Sequence, residues 1–159
     1  MDPSKYHPIS LLNMGGKVLE KLLINRISHH MYRHNLLTDR QFGLTPQKRT
    51  TDAAMEAKKI IQPVLENRGL VIMIILDVKG AFEAAWWPSI LQALKYLGCR
   101  RNLYNLSKGY FSHRTAVMFT NSVSIKRRMT KGCPQGFCCG PGFWNLLYNS
   151  LLKLELTSN

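Results

Sequence analysis

Acidic residues are scarce in this chain. Nine Asp and Glu stand against 22 Lys and Arg over 159 residues, a formal charge of +13 at neutral pH. Such an excess favours a polyanionic partner, through long-range attraction and the release of counterions. The alternative is a basic surface kept for solubility, and the spread of cations along the chain agrees with it in part. Local clusters favour nucleic acid: "PQKR" at 46–49, "CRR" at 99–101 and "KRRMTK" at 126–131.

Long hydrophobic runs are missing too. The longest, "LVIMIIL" at 70–76, spans seven residues, against the roughly 20 that a membrane helix needs. No membrane partner is therefore expected. "MDPSKYHPIS" lacks the apolar stretch of a secretory leader, which points to an intracellular, reducing compartment. Four cysteines there read as thiols rather than disulfides. Zinc-like spacing is also lacking. Cys133, Cys138 and Cys139 crowd the segment "GCPQGFCCGP" at 132–141, Cys99 stands apart, and no pair of histidines with metal spacing lies near them in sequence. A structural zinc site asks for two such pairs, so no zinc is expected. There is no internal repeat, linker or low-complexity stretch, and the length suits about one domain with a real core.

What remains is a pattern of short elements. Leu19, Leu22, Leu23, Ile27 and Met31 recur at three and four, predicting a helix over 16–34 with that face inward. Residues 36–49, with Gly43 and Pro46, read as a loop. Thr50 or Thr51 suits the N-cap of a second helix, with Asp52 in its first turn and Pro63 marking a kink or an early end. The β-branched run ending in "LDV" predicts a strand buried on both faces. Helices follow at about 90–97, stopped by Gly98, and at 101–112. "TAVMFT" and "SVSIKRR", joined at Asn121 and Ser122, predict a β-hairpin. A last helix from Gly142 places Phe143, Leu147, Leu151 and Leu154 on one side. The order α, α, β, α, α, hairpin, α implies an α+β fold.

Two places carry candidate chemistry. Asp77 ends the hydrophobic run, where a carboxylate is tolerated only if it projects out of the apolar layer. Followed by Lys79 and Gly80, it suits one arm of a divalent-ion site completed by backbone carbonyls and substrate phosphates. It equally suits a helix cap or a surface turn. "GCPQG" frames Gln135 with a proline and two glycines, so backbone and amide can approach a ligand closely. A tight turn without a ligand explains the same residues.

In order and spacing, four blocks resemble the reverse transcriptase domain of non-LTR (LINE-type) retrotransposons. They are "YHPISLLNMGGKVLEKLLINRI", "LTDRQFGLTPQKRTTDA", "LDVKGAFEAAWWPSIL" and "KGCPQGFCCGPGFWNLLYNSLL". Among such elements, those of arthropods that insert into ribosomal or telomeric DNA are the most similar.

The resemblance implies the fingers and partial palm of a right-hand polymerase, about 1–69 on the fingers side and about 70–159 in the palm. It implies that Asp77 and the Val78 carbonyl hold Mg²⁺ or Mn²⁺. Phe82 would sit beneath the incoming sugar, and Gln135 and Gly136 would line the nucleotide pocket. Lys48 and Arg49 would reach the triphosphate. Lys126, Arg127, Arg128 and Lys131 belong to the basic cluster expected on nucleic acid. The implied partners are an RNA template, a DNA primer and deoxynucleoside triphosphates, and the implied location is nuclear.

The family also carries two aspartates in an F/Y-x-D-D hairpin, and no "DD" occurs in this sequence. The expectation is thus a truncated palm, inactive alone. The alternative is a domesticated, non-catalytic nucleic-acid-binding module. Glu83, His7, Arg49 and Phe137 depart from the family pattern, and Phe137 stands where it would crowd the pocket.

Overall fold

A computed structural model describes residues 10–120, 123–133 and 139–154. Six helices and one hairpin follow in chain order: α1 (Met14–Arg33), α2 (Thr50–Glu66), α3 (Ala81–Ala84), α4 (Trp87–Tyr96), α5 (Arg101–Phe111), β1 (Thr115–Phe119), β2 (Ser124–Arg128) and α6 (Gly140–Leu152). Helices with a two-stranded antiparallel sheet make the α+β class expected.

The core forms where α1, α4, α5 and α6 meet. Leu23, Ile27, Ile90, Leu94, Phe143 and Leu146 have no exposed surface there. Each buried side chain of this size contributes about 1.5–3 kcal/mol. An aromatic cluster fills the centre: Phe111 stacks on Trp87 at 5.2 Å and meets Phe143 at 5.0 Å between ring centroids.

Helix α1 starts two residues earlier than its periodicity suggests, because Asn13 caps it by accepting the Gly16 N–H at 2.7 Å. Its buried face is turned from the expected stripe. Glu20, Leu23, Ile24, Ile27 and Met31 are inside, while Leu19 and Leu22 are largely exposed. Periodicity could not foresee this, since the face is completed by a carboxylate.

Helix α4 ends as its glycine demands. Gly98 adopts a left-handed φ of 67°, and the Cys99 N–H bonds the Leu94 carbonyl at 3.0 Å while the Gly98 N–H bonds Lys95 at 3.1 Å. His30 on α1 donates Nε2–H to the Leu97 carbonyl at 3.0 Å, fixing that end against the neighbouring helix.

Other expectations need correction. Arg49, not Thr50 or Thr51, is the N-cap of α2, and its N–H is taken by the Asp52 carboxylate at 2.7 Å. Pro63 does not end α2, which continues to Glu66. None of the residues of α2 is buried.

The larger correction concerns 70–78. The apolar run forms no strand, and Leu70, Ile72, Ile74, Ile75 and Leu76 are 79–85% exposed. A strand exists only through its ladder, and among the described residues none lies alongside this run.

On α6 the inward residues are Phe143, Asn145, Leu146 and Asn149, whereas Leu151 and Leu154 face solvent. The hairpin is present with Thr115 opposite Arg128 and Phe119 opposite Ser124. Its connecting Asn121 and Ser122 lie outside the described residues.

Candidate active site

Asp77 lies exposed at the end of the apolar run, with Val78 47% exposed beside it. The chain then reverses through Gly80, whose φ of 63° is the left-handed conformation that glycine adopts without strain. Gly80 is the N-cap of α3, and its carbonyl accepts the Ala84 N–H at 2.8 Å. The cap being Gly80, Asp77 does not serve as one.

The segment that follows is bound to the chain just before "PQG". Trp86 and Lys131 form an antiparallel bridge. The Gly132 N–H donates to the Ala85 carbonyl at 2.7 Å, and the Cys133 N–H donates to the Phe82 carbonyl at 2.7 Å. From the side, Trp87 Nε1–H donates to the Gly132 carbonyl at 2.9 Å, a buried bond. Gly132 permits this approach: its φ is 93°, and a Cβ there would stand 2.8 Å from the Glu83 carbonyl oxygen. Residues 82–87 and 131–133, far apart in sequence, thereby become one unit.

Phe82 completes that unit. Half-buried, its ring sits 6.2 Å from Trp144, and its edge is where a Cβ on Gly140 would come within 3.5 Å. Phe82 is thus held against the first turn of α6. Gln135, Gly136 and Phe137 lie outside the described residues.

The cysteines on either side pack inward. Cys133 is 3% and Cys139 1% exposed. The Tyr110 hydroxyl bonds the Glu20 carboxylate and lies 3.2 Å from Cys139 Sγ. Arg114 covers the Tyr110 ring at 4.4 Å. Burial above all, then Cys139 and Glu20 beside it, holds the Tyr110 phenol far above its ordinary 10.0. A hydrogen bond with Cys133, then burial, raises the Cys139 thiol well above its ordinary 9.0.

Both groups are held neutral in the fold, so the stability they supply is complete below about pH 9. It is lost as pH rises past their unfolded values towards the raised folded ones. The melting temperature should therefore be level from pH 7 to 8.5 and fall steadily to pH 11. The fall should be shallower in Tyr110→Phe. A level profile to pH 11 contradicts this network.

Lys48 and Arg49 occupy the loop before α2. Lys48 Nζ donates to the Asp39 carbonyl at 2.6 Å and sits 5.1 Å above the Phe42 ring, while the Arg49 side chain is exposed. Lys126, Arg127 and Arg128 line β2, exposed along its whole length. Lys131 extends from the bridge to Trp86, also exposed.

Among the described residues no three His, Cys, Asp or Glu side chains converge in a way that could hold a metal ion. One carboxylate with an adjacent carbonyl is a hard-oxygen set, suited to Mg²⁺ sharing its shell with phosphates. Among the described residues no helix is long and apolar enough to cross a membrane.

Two asparagines escaped the sequence reading. Asn145 and Asn149 of α6 are 6% and 2% exposed and bond the backbone of the 36–44 loop. Their spacing of four, inside a helix otherwise apolar on that side, was the available signal.

Comparison with known proteins shows the family. The family described as "Reverse transcriptase (RNA-dependent DNA polymerase)" matches residues 1–158. The chain belongs to that family. It is 34% identical over 152 residues to the 115 kDa protein of the type-1 retrotransposable element R1DM of Drosophila melanogaster, covering 96% of this chain and 14% of that protein. It is 32% identical over 151 residues to the Pol polyprotein of the type-1 element R1 of Bradysia coprophila, covering 95% and 14%. The RNA-directed DNA polymerase of the Drosophila melanogaster mobile element jockey is 27% identical over 151 residues, covering 94% and 16%. The chain thus spans about one-seventh of the R1-type relatives' length. No solved structure matches it.

Proposed function

We propose that this chain is the fingers side (about 1–69) and part of the palm (about 70–159) of a retrotransposon's RNA-directed DNA polymerase. The observation that carries the reading is the bonding of 82–87 onto 131–133. It joins the chain that follows Asp77 to the chain that precedes Gln135 in sequence, which supports a nucleotide site built from both stretches.

In this reading Asp77 and the Val78 carbonyl hold Mg²⁺ or Mn²⁺, ions that supply the charge stabilisation phosphoryl transfer needs. Phe82, fixed against α6, forms the floor under the incoming sugar and disfavours a 2′-hydroxyl. Gln135 and Gly136 form the facing wall, and Lys48 and Arg49 meet the triphosphate. RNA template, DNA primer and deoxynucleoside triphosphates are the ligands, and the nucleus is the place of action. Asp77 alone is too few carboxylates for two ions, so the chain by itself is inactive.

The exposed hairpin presents Lys126, Arg127 and Arg128 to the nucleic-acid backbone, with Lys131 close behind. Binding to a single-stranded RNA should weaken steeply with salt, each neutralised phosphate adding about 0.7 to the log–log slope. Replacing Lys126, Arg127 and Arg128 by Ala should lower that slope by about 2. Fluorescence anisotropy over 50–300 mM salt reads both, and a flat dependence, or an unchanged slope, contradicts the assignment.

A further inference from the structure

Two buried asparagines of α6 and the exposed lysine that caps its C-terminus form a ladder. Asn145, Asn149 and Lys153 follow one another at intervals of four along one face. Asn145 Nδ2 donates to the Leu44 carbonyl at 2.8 Å. Asn149 uses both ends of its amide: Oδ1 accepts the Thr38 N–H at 2.8 Å and Nδ2 donates to the Leu36 carbonyl at 3.0 Å. Lys153 Nζ reaches the same carbonyl at 3.0 Å. Every bond goes to backbone of the loop that leads to Lys48 and Arg49.

That loop has a shape its residues do not favour. Leu44 and Gln47, neither of them glycine, have φ of 56° and 64°. Left-handed conformations at such residues persist only where surrounding contacts impose them. The Leu44 carbonyl is the group Asn145 holds, and Gln47 directly precedes Lys48. Further along, Lys48 is tied back to Asp39, one residue beyond the Thr38 that Asn149 holds. The cation's place is thus set by a chain of bonds that begins on α6.

We infer that Asn145 and Asn149 are positioning residues, which hold the loop carrying Lys48 and Arg49 in register with the helix that begins at the nucleotide wall. Neither touches the ligand. Their effect on nucleotide binding passes through Lys48 and Arg49, so the inference rests on the function proposed above.

A double-mutant cycle tests it, because residues that act through one another are not additive. The probe is a fluorescent deoxynucleoside triphosphate with Mg²⁺, titrated at low salt. Asn149→Ala should weaken binding about fivefold, of the order of one net hydrogen bond. In the Lys48→Ala/Arg49→Ala background the same change should have no further effect. Asn149→Asp, which keeps the acceptor for Thr38 N–H, should lie between wild type and Asn149→Ala. Lys153→Met, at an exposed position, should weaken binding without disturbing the core if Asn149→Ala fails to fold.

Hydrogen exchange supplies the second measurement: Asn149→Ala, or Lys153→Met in its place, should speed exchange at 36–46 while α4 and α5 keep their protection. An equal loss in both backgrounds, or unchanged exchange at 36–46, overturns the inference. No binding by the wild-type chain, or no effect of the Lys48/Arg49 pair, overturns the nucleotide reading and the inference with it.

Discussion

Replacing Gly132 by Ala should destabilise the chain by roughly 2–4 kcal/mol. Two costs add. A φ of 93° is poor for any residue with a Cβ, and the added methyl would meet the Glu83 carbonyl oxygen at 2.8 Å. That oxygen is backbone, so it cannot swing aside. To relieve the clash, the 131–133 segment must withdraw from 82–87, breaking the Gly132–Ala85 and Cys133–Phe82 bonds. The indole of Trp87, buried in the core, would then lose its acceptor. A melting temperature lower by roughly 5–15 °C is expected. Gly98→Ala is the control. Its φ of 67° is also left-handed and carries a conformational cost of its own, though a smaller one than 93°, and nothing lies within 4 Å of the new Cβ. Equal losses in the two variants contradict the claim that close approach adds to the cost at Gly132.

The second large effect concerns the exposed run at 70–76. Seven consecutive apolar residues rich in β-branched side chains, with no charge and no proline, are the signature of a segment that pairs with its own kind. Here they are open to solvent, next to an α2 that buries none of its residues. The purified chain should therefore associate at micromolar concentrations in spite of its +13 charge. Added salt, by screening that charge, should promote association. Ile72→Lys with Ile74→Lys places two cations on the same side of an extended segment and should return the chain to a monomer. Light scattering and size exclusion read the result. A wild-type chain that stays monodisperse at high salt contradicts the prediction, as does a double variant that aggregates equally.

The difference between what could and could not be read from the sequence follows from these same segments. Helices α4 and α5 were legible because their own periodicity and Gly98 specify them locally. The hairpin was legible for the same reason. The run at 70–76 has every local property of a buried strand, yet strandness is decided by a neighbour, and no local property supplies one. The inward face of α1 was misread because Glu20 is buried against Tyr110, a partner ninety positions away. On α6, the burial of Asn145 and Asn149 depends on the loop they hold, which the helix's own pattern does not reveal.

The candidate site divides likewise. Asp77 became a candidate through the clash between a carboxylate and the apolar run it ends. That Gly132 would join Phe82 and Ala85 was not, since it depends on a positive φ and a backbone approach. The cysteines were readable only by what they lack, a metal spacing. Their burial beside Tyr110 is a property of the assembled core.

Primer extension on an RNA template tests whether Asp77 serves a polymerase site. The chain would be assayed alone, and also in place of the matching segment of the Bradysia coprophila R1 Pol polyprotein. With Mg²⁺ or Mn²⁺, the chain alone should make no product. The chimaera should synthesise DNA, at a rate reduced at least a hundredfold by Asp77→Ala. Synthesis by the chain alone, or a chimaera in which Asp77→Ala has no effect, would contradict the assignment of Asp77 to a polymerase site.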